Sequence, residues 1–120
     1  VKAALAIALV MLTGCASMRP NPDEWTDKER LAFGLSIAAH AADAVTTARG
    51  LEGGCVELNP LLGSAPSISS IIAVKIVVLG LQYVIFNTPG MGDNTHVYGY
   101  LAAGLTGGVA VWNWQQDCGR

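Results

Sequence analysis

The chain predicts an all-α fold, three helices in an up-down-up bundle associated with a membrane. Three observations carry that expectation. Long apolar stretches near residues 27–48, 68–86 and 95–114 are separated by clusters of Gly, Pro and Asn, the residues that punctuate turns. Each stretch is much longer than a strand, which typically runs about four to eight residues. Charge is also scarce: only 13% of the 120 residues are charged, against roughly 25% in ordinary soluble domains. Between Leu31 and Gln116 the charged residues are Asp43, Arg49, Glu52, Glu57, Lys75 and Asp93. A helical bundle in water needs a charged outer face, and these few residues cannot supply one. The formal net charge of -2 comes with no basic stripe, so no nucleic-acid partner is expected.

The first element is a leader, residues 1–14. Lys2 gives a thin positive start, and residues 3–11 form an apolar core too short to span a bilayer of about 30 Å. Leu12-Thr13-Gly14-Cys15 closes it. This sequence resembles the lipobox of bacterial lipoproteins: small residues give a peptidase access to the backbone, and the Cys15 thiol accepts the lipid. The resemblance implies cleavage before Cys15, a thioether-linked diacylglycerol and an amide-linked fatty acid. Each buried methylene contributes about 0.8 kcal/mol, so two or more chains anchor stably. That covalent lipid is the only cofactor-like group expected. The anchor implies the periplasmic side of the cell envelope, and in a Gram-negative host Ala16-Ser17, with no Asp, points to the outer membrane.

Residues 15–26 form the lipidated tether, stiffened by Pro20 and Pro22, and residues 27–118 form the three-helix body. Thr26 and Glu29 read as a capping box, starting helix 1 near Asp27; Arg49-Gly50 should stop it after Ala48. Residues 50–67 read as a loop, with Asn59-Pro60 as the cap of a short helical turn. Gly34 and Gly53-Gly54 are expected in packing or turns. Helix 2 follows Ser67, is apolar nearly all round except at Lys75, and runs to about Phe86. A run of about twenty apolar residues has the length of a transmembrane helix. After the turn around Pro89–Asn94, helix 3 is rich in small residues (Gly99, Ala102, Ala103, Gly104, Gly107, Gly108). In lipid such residues let helices pack closely. Tyr98, Tyr100, Trp112 and Trp114 lie near its ends, as an aromatic belt does.

The candidate site is a polar cluster inside this apolar body. Ser36, His40, Asp43 and Thr47 recur at steps of four, three and four, which places them on one helix face. Lys75 and Gln82 share a face of helix 2. At 1.5 Å rise per residue, Asp43 lies about 8–9 Å from the end of helix 1 and Lys75 about 11–12 Å from the start of helix 2. In an antiparallel hairpin the two meet, and Gln82 falls level with Ser36 and His40, with Thr106 at similar depth. Ionisable groups in a membrane are rare and usually paired, so an Asp43–Lys75 contact accounts for both. His40 reads as a core donor rather than a metal ligand, and His96 stands at the other end of the bundle; no metal site is expected.

The series Asp43, Thr46-Thr47, Gly50, Glu57-Leu58-Asn59-Pro60 and Lys75 resembles an uncharacterised family of small bacterial and archaeal membrane proteins. The resemblance covers roughly residues 35–87 and implies a three-helix membrane fold with a polar cluster, without an activity. In this reading Glu57 and Asn59 fold down onto the end of helix 1, accept from Thr hydroxyls and cap the short helix. Two carboxylates beside one Lys also allow a cation site or an activated water.

Cys55 and Cys118 fall at the same end of an up-down-up bundle, so a disulfide is open to them. Such a bond and three ordinary inner-membrane spans exclude one another. A lipid on Cys15 lies outside the inner membrane, and helix 1 would then carry Cys55 into the reducing cytoplasm. The sequence therefore points to a cell-envelope lipoprotein with a structural or protein-interaction role, partnered by membrane lipid and by an envelope protein or a second copy of itself, rather than to an enzyme, though it does not decide that question. The alternative is a membrane-embedded ligand- or cation-binding or catalytic module using Asp43, Glu57 and Lys75.

Overall fold

The computed structural model describes residues 25–88, 94–116 and 118. The leader, the lipobox with Cys15 and most of the tether lie outside the described residues. Three helices make up the body: α1 (Asp27–Glu52), α2 (Ile68–Phe86) and α3 (Thr95–Gln115), with no strand among the described residues.

α1 begins at the expected capping box. The Thr26 hydroxyl accepts from the Glu29 amide at 3.2 Å, and the Glu29 carboxylate accepts from the Thr26 amide at 2.8 Å. Asp27 and Glu29 also place negative charge against the positive end of the helix dipole. The helix runs one turn past the expected stop. Gly50 is tolerated inside it at a cost of only about 1 kcal/mol. The chain turns instead at Gly53-Gly54: the Gly53 amide donates to Arg49 O at 3.1 Å, and Gly54 takes φ +88°, a conformation that favours glycine. α2 starts at Ser67, whose hydroxyl accepts from the Ser70 amide at 3.2 Å. The short turn expected at Asn59-Pro60 is present: the Leu62 amide donates to Asn59 O at 3.0 Å, and Asn59 Oδ1 caps the turn by accepting from the Leu61 amide at 3.0 Å.

α1 packs along most of α3 and less extensively on α2, while α2 and α3 touch little. The tightest glycine position among the described residues is Gly99. A Cβ placed there would lie 2.8 Å from Ala32 Cβ and 2.6 Å from Phe86 Cζ, so only glycine fits. Gly104, Gly107, Gly108 and Gly34 have open space beside them, so the expectation of close packing holds for Gly99 and not for these four. Near the start of α1, Trp25 packs against Phe33, Tyr83 and Phe86 with ring centroids 5.1–5.6 Å apart. Its indole N–H donates to Asn87 Oδ1 at 3.1 Å, and the Asn87 amide donates to Tyr83 O at 2.7 Å. Trp25 thus belongs to the core of the bundle and not to the tether.

The polarity of the bundle is inverted relative to a water-soluble one. Ser36, His40, Asp43, Thr46, Thr47 and Gln82 are buried. Leu105, Ile76, Val45 and Leu101 face outward at 74%, 64%, 64% and 63% exposure. α1 and α2 are each long and apolar enough to cross a membrane, by length and composition.

Candidate functional site

The polar face of α1 points inward, and each residue on it meets a partner from another helix or from its own backbone. Ser36 Oγ donates to Gln82 Oε1 at 2.6 Å, and Gln82 Nε2 lies 3.2 Å from His40 Nε2. With the Gln82 oxygen engaged by Ser36, its amide group faces the imidazole and donates to Nε2. That assignment makes His40 neutral with its proton on Nδ1. Nδ1 is buried and finds no hydrogen-bond partner among the described residues.

One turn further, Asp43 receives donors on both carboxylate oxygens. The Lys75 ammonium of α2 binds Oδ2, and Asn113 Nδ2 of α3 donates to Oδ1 at 3.0 Å. The same Asn113 nitrogen lies 3.2 Å from the Thr47 hydroxyl, and Thr46 Oγ1 donates to the Asp43 carbonyl at 3.2 Å. Asp43 therefore ties all three helices together. A carboxylate this deeply buried requires a paired cation and satisfied lone pairs, and both are supplied.

Glu57 and Asn59 reach the same region by a different route from the one expected. Glu57 Oε1 accepts from the Asn59 amide at 2.8 Å, a bond within the loop, and neither side chain is bonded to the Thr46 or Thr47 hydroxyl, which engage the Asp43 carbonyl and Asn113 respectively. The loop is held over the end of α1 by a disulfide between Cys55 and Cys118, with Cα atoms 4.9 Å apart. A Cβ at Gly54 would lie 3.1 Å from Cys118 O, so glycine is needed where the two segments meet. Beneath this roof is a cleft of about 520 Å³. Its floor carries Asp43, Thr47, Lys75 and Asn113, its roof Glu57 and Asn59, and its walls Leu62, Leu105, Val109 and Trp112. Thr106 also faces the cleft.

The structure thus brings Ser36, His40, Asp43, Thr47 and Lys75 into one interior ladder and sets Glu57 and Asn59 above it. Asn113 is the contributor that sequence reasoning missed. Its signal was available: it is a polar residue on an apolar helix, seven positions after Thr106 and so on the same face. Among the described residues no group of three His, Cys, Asp or Glu side chains is arranged to hold a metal ion. His96 stands apart from the ladder, its ring 6.1 Å from that of Tyr100. Arg49, at the disulfide end, lies 4.1 Å over the Trp114 ring. No protein-family model, curated protein or solved structure matches this chain.

Proposed function

We propose that this is a lipid-anchored protein of the bacterial cell envelope, with a structural or protein-interaction role, whose helices run up, down and up within an apolar surround. The observation that carries the reading is the inverted polarity: a polar ladder inside, and Leu105, Ile76 and Val45 outside at 74%, 64% and 64% exposure. Extended apolar surface of this kind marks contact with a membrane or a protein. Membrane lipid, an envelope partner or a second copy of the chain would cover it.

The lipobox resemblance at Leu12–Cys15 supplies the anchor, with residues 1–14 removed as a signal peptide. The engagement of both Asp43 oxygens, by Lys75 of α2 and Asn113 of α3, supports a register-holding role, since the carboxylate joins all three helices. The Cys55–Cys118 bond supports placing that end of the bundle outside the cytoplasm. Together with a lipid on Cys15, it favours an envelope position in which neither end of α1 enters the cytoplasm. The second reading, a ligand-binding module using Asp43, Glu57 and Lys75, is favoured by one observation, the cleft above Lys75.

The test is made in intact cells. A labelled fatty acid should enter the wild-type protein and not Cys15→Ser. Cys55 and Cys118 should react with a thiol reagent only after reduction, without permeabilisation. Labelling that needs permeabilisation but no reductant would overturn the placement and make the helices conventional inner-membrane spans.

A further inference from the structure

We infer that the cleft above Lys75 binds an amphiphile whose head carries a primary ammonium group. An aminophospholipid headgroup and a free long-chain amine share this chemistry. The inference stands on the geometry of the cleft and does not depend on the lipid anchor.

The charges of the cleft select the head. Asp43 and Lys75 neutralise one another on the floor. The ion pairs among the described residues are Arg30–Asp27 and Lys75–Asp43, so the Glu57 carboxylate on the roof has no cationic partner there. The lining therefore carries one uncompensated negative charge, and an ammonium ion complements it. Lys75 has three N–H groups, and its one acceptor among the described residues is Asp43. In an aminophospholipid headgroup a phosphate oxygen satisfies a second of them. An anionic head would face Glu57 across a floor of no net charge, and a purely apolar molecule would leave Glu57 unanswered.

The walls select the tail. Leu62, Leu105, Val109 and Trp112 offer apolar surface, and the exposed Trp112 ring also attracts a cation at its face. A volume of about 520 Å³ lies within the range of small-molecule sites. Access is lateral, because α2 and α3 touch little and Leu105 and Val109 stand outward at 74% and 50% exposure. A chain can thus lie along α3 with its head under the loop.

The test uses the full chain in lipid nanodiscs, followed by the nitrogen-15 signals of the tryptophan indole N–H groups, with that of Trp112 assigned by its loss in Trp112→Phe. The probes are dodecylamine, dodecanol and dodecanoate in phosphatidylcholine discs, then discs containing phosphatidylethanolamine. Dodecylamine should shift the Trp112 signal saturably and leave that of Trp25 in place. Glu57→Gln should weaken the amine about tenfold, the scale of one charge-assisted hydrogen bond. Val109→Phe, which fills the cleft, should abolish the shift, and the unmoved Trp25 signal reports that each variant is folded. The same shift with phosphatidylethanolamine identifies a lipid headgroup as the source; a shift with dodecylamine alone identifies a free amine. Dodecanol or dodecanoate binding as tightly as the amine would overturn the inference, as would a Glu57→Gln variant that binds dodecylamine unchanged.

Discussion

Replacing Lys75 by Met removes the ammonium group while keeping most of the apolar stem. Asp43 is 5% exposed, and the change strips the donor from Oδ2 while leaving Asn113 on Oδ1 at 3.0 Å. Removing one partner of a buried ion pair costs about 3–5 kcal/mol, because the other charge stays buried without compensation. The retained hydrogen bond to a charged group contributes about 1.5–3 kcal/mol, which places the expected cost near the lower end, about 3 kcal/mol. Asp43→Asn should cost less, about 1–2 kcal/mol, because the side chain of Lys75 is 16% exposed and its flexible stem lets the head seek solvent. The double variant Asp43→Leu/Lys75→Met should return to within about 1 kcal/mol of wild type, since it removes both desolvation costs along with the attraction. Reversible unfolding in mixed micelles, analysed as a double-mutant cycle, measures all three. A Lys75→Met cost below about 1 kcal/mol, or a double variant as unstable as the worse single one, would refute the claim that the pair is desolvated and holds register.

Three further outcomes follow from the packing. Gly99→Ala should destabilise the bundle by about 1–3 kcal/mol, because the new methyl meets Ala32 and Phe86 at 2.8 and 2.6 Å; unfolding midpoints in the same micelles measure it. Cys118→Ser opens a link between residues 63 apart in sequence and should lower stability by up to about 4 kcal/mol, and reduction of the wild type should reproduce the loss. Thr26→Ala should cost about 1 kcal/mol and fray the first turn of α1, seen as faster amide exchange at Glu29, whose N–H then loses its acceptor.

The helices and the main polar pair were legible because they depend on local and periodic signals. The Thr26–Glu29 box and the lengths of the apolar runs mark the elements, and a rise of about 1.5 Å per residue suffices to bring Asp43 level with Lys75. Features that depend on competition between equals were not legible. Gly50 and Gly53 are both plausible stops, and nothing local to the sequence separates them; the helix ends at Glu52, with Gly53 as its cap. Glu57 had a Thr hydroxyl and a neighbouring amide within range of its loop, and the amide two residues away closes with less loss of chain entropy. Trp25 looked like part of a polar tether because the partner of its N–H, Asn87, is remote in sequence. Asn113 was hidden among the aromatic residues that mark a membrane interface.

The two ends of the bundle are built for different purposes. At the start of α1, Trp25, Phe33, Tyr83 and Phe86 seal the interior with aromatic rings, and the polar atoms there are bonded to one another. At the other end α2 and α3 part, and the interior opens under a loop fixed by a covalent bond. A bundle needing only an ion pair for register could close both ends with apolar side chains, as the first end does. Instead the Asp43–Lys75 ion pair lies beside the opening, and the loop above adds Glu57 without a counter-charge among the described residues. The disulfide then has a specific task. It keeps the roof over the cleft when the splayed helices do not hold it, so breaking the bond should loosen the cleft before it unfolds the sealed aromatic end.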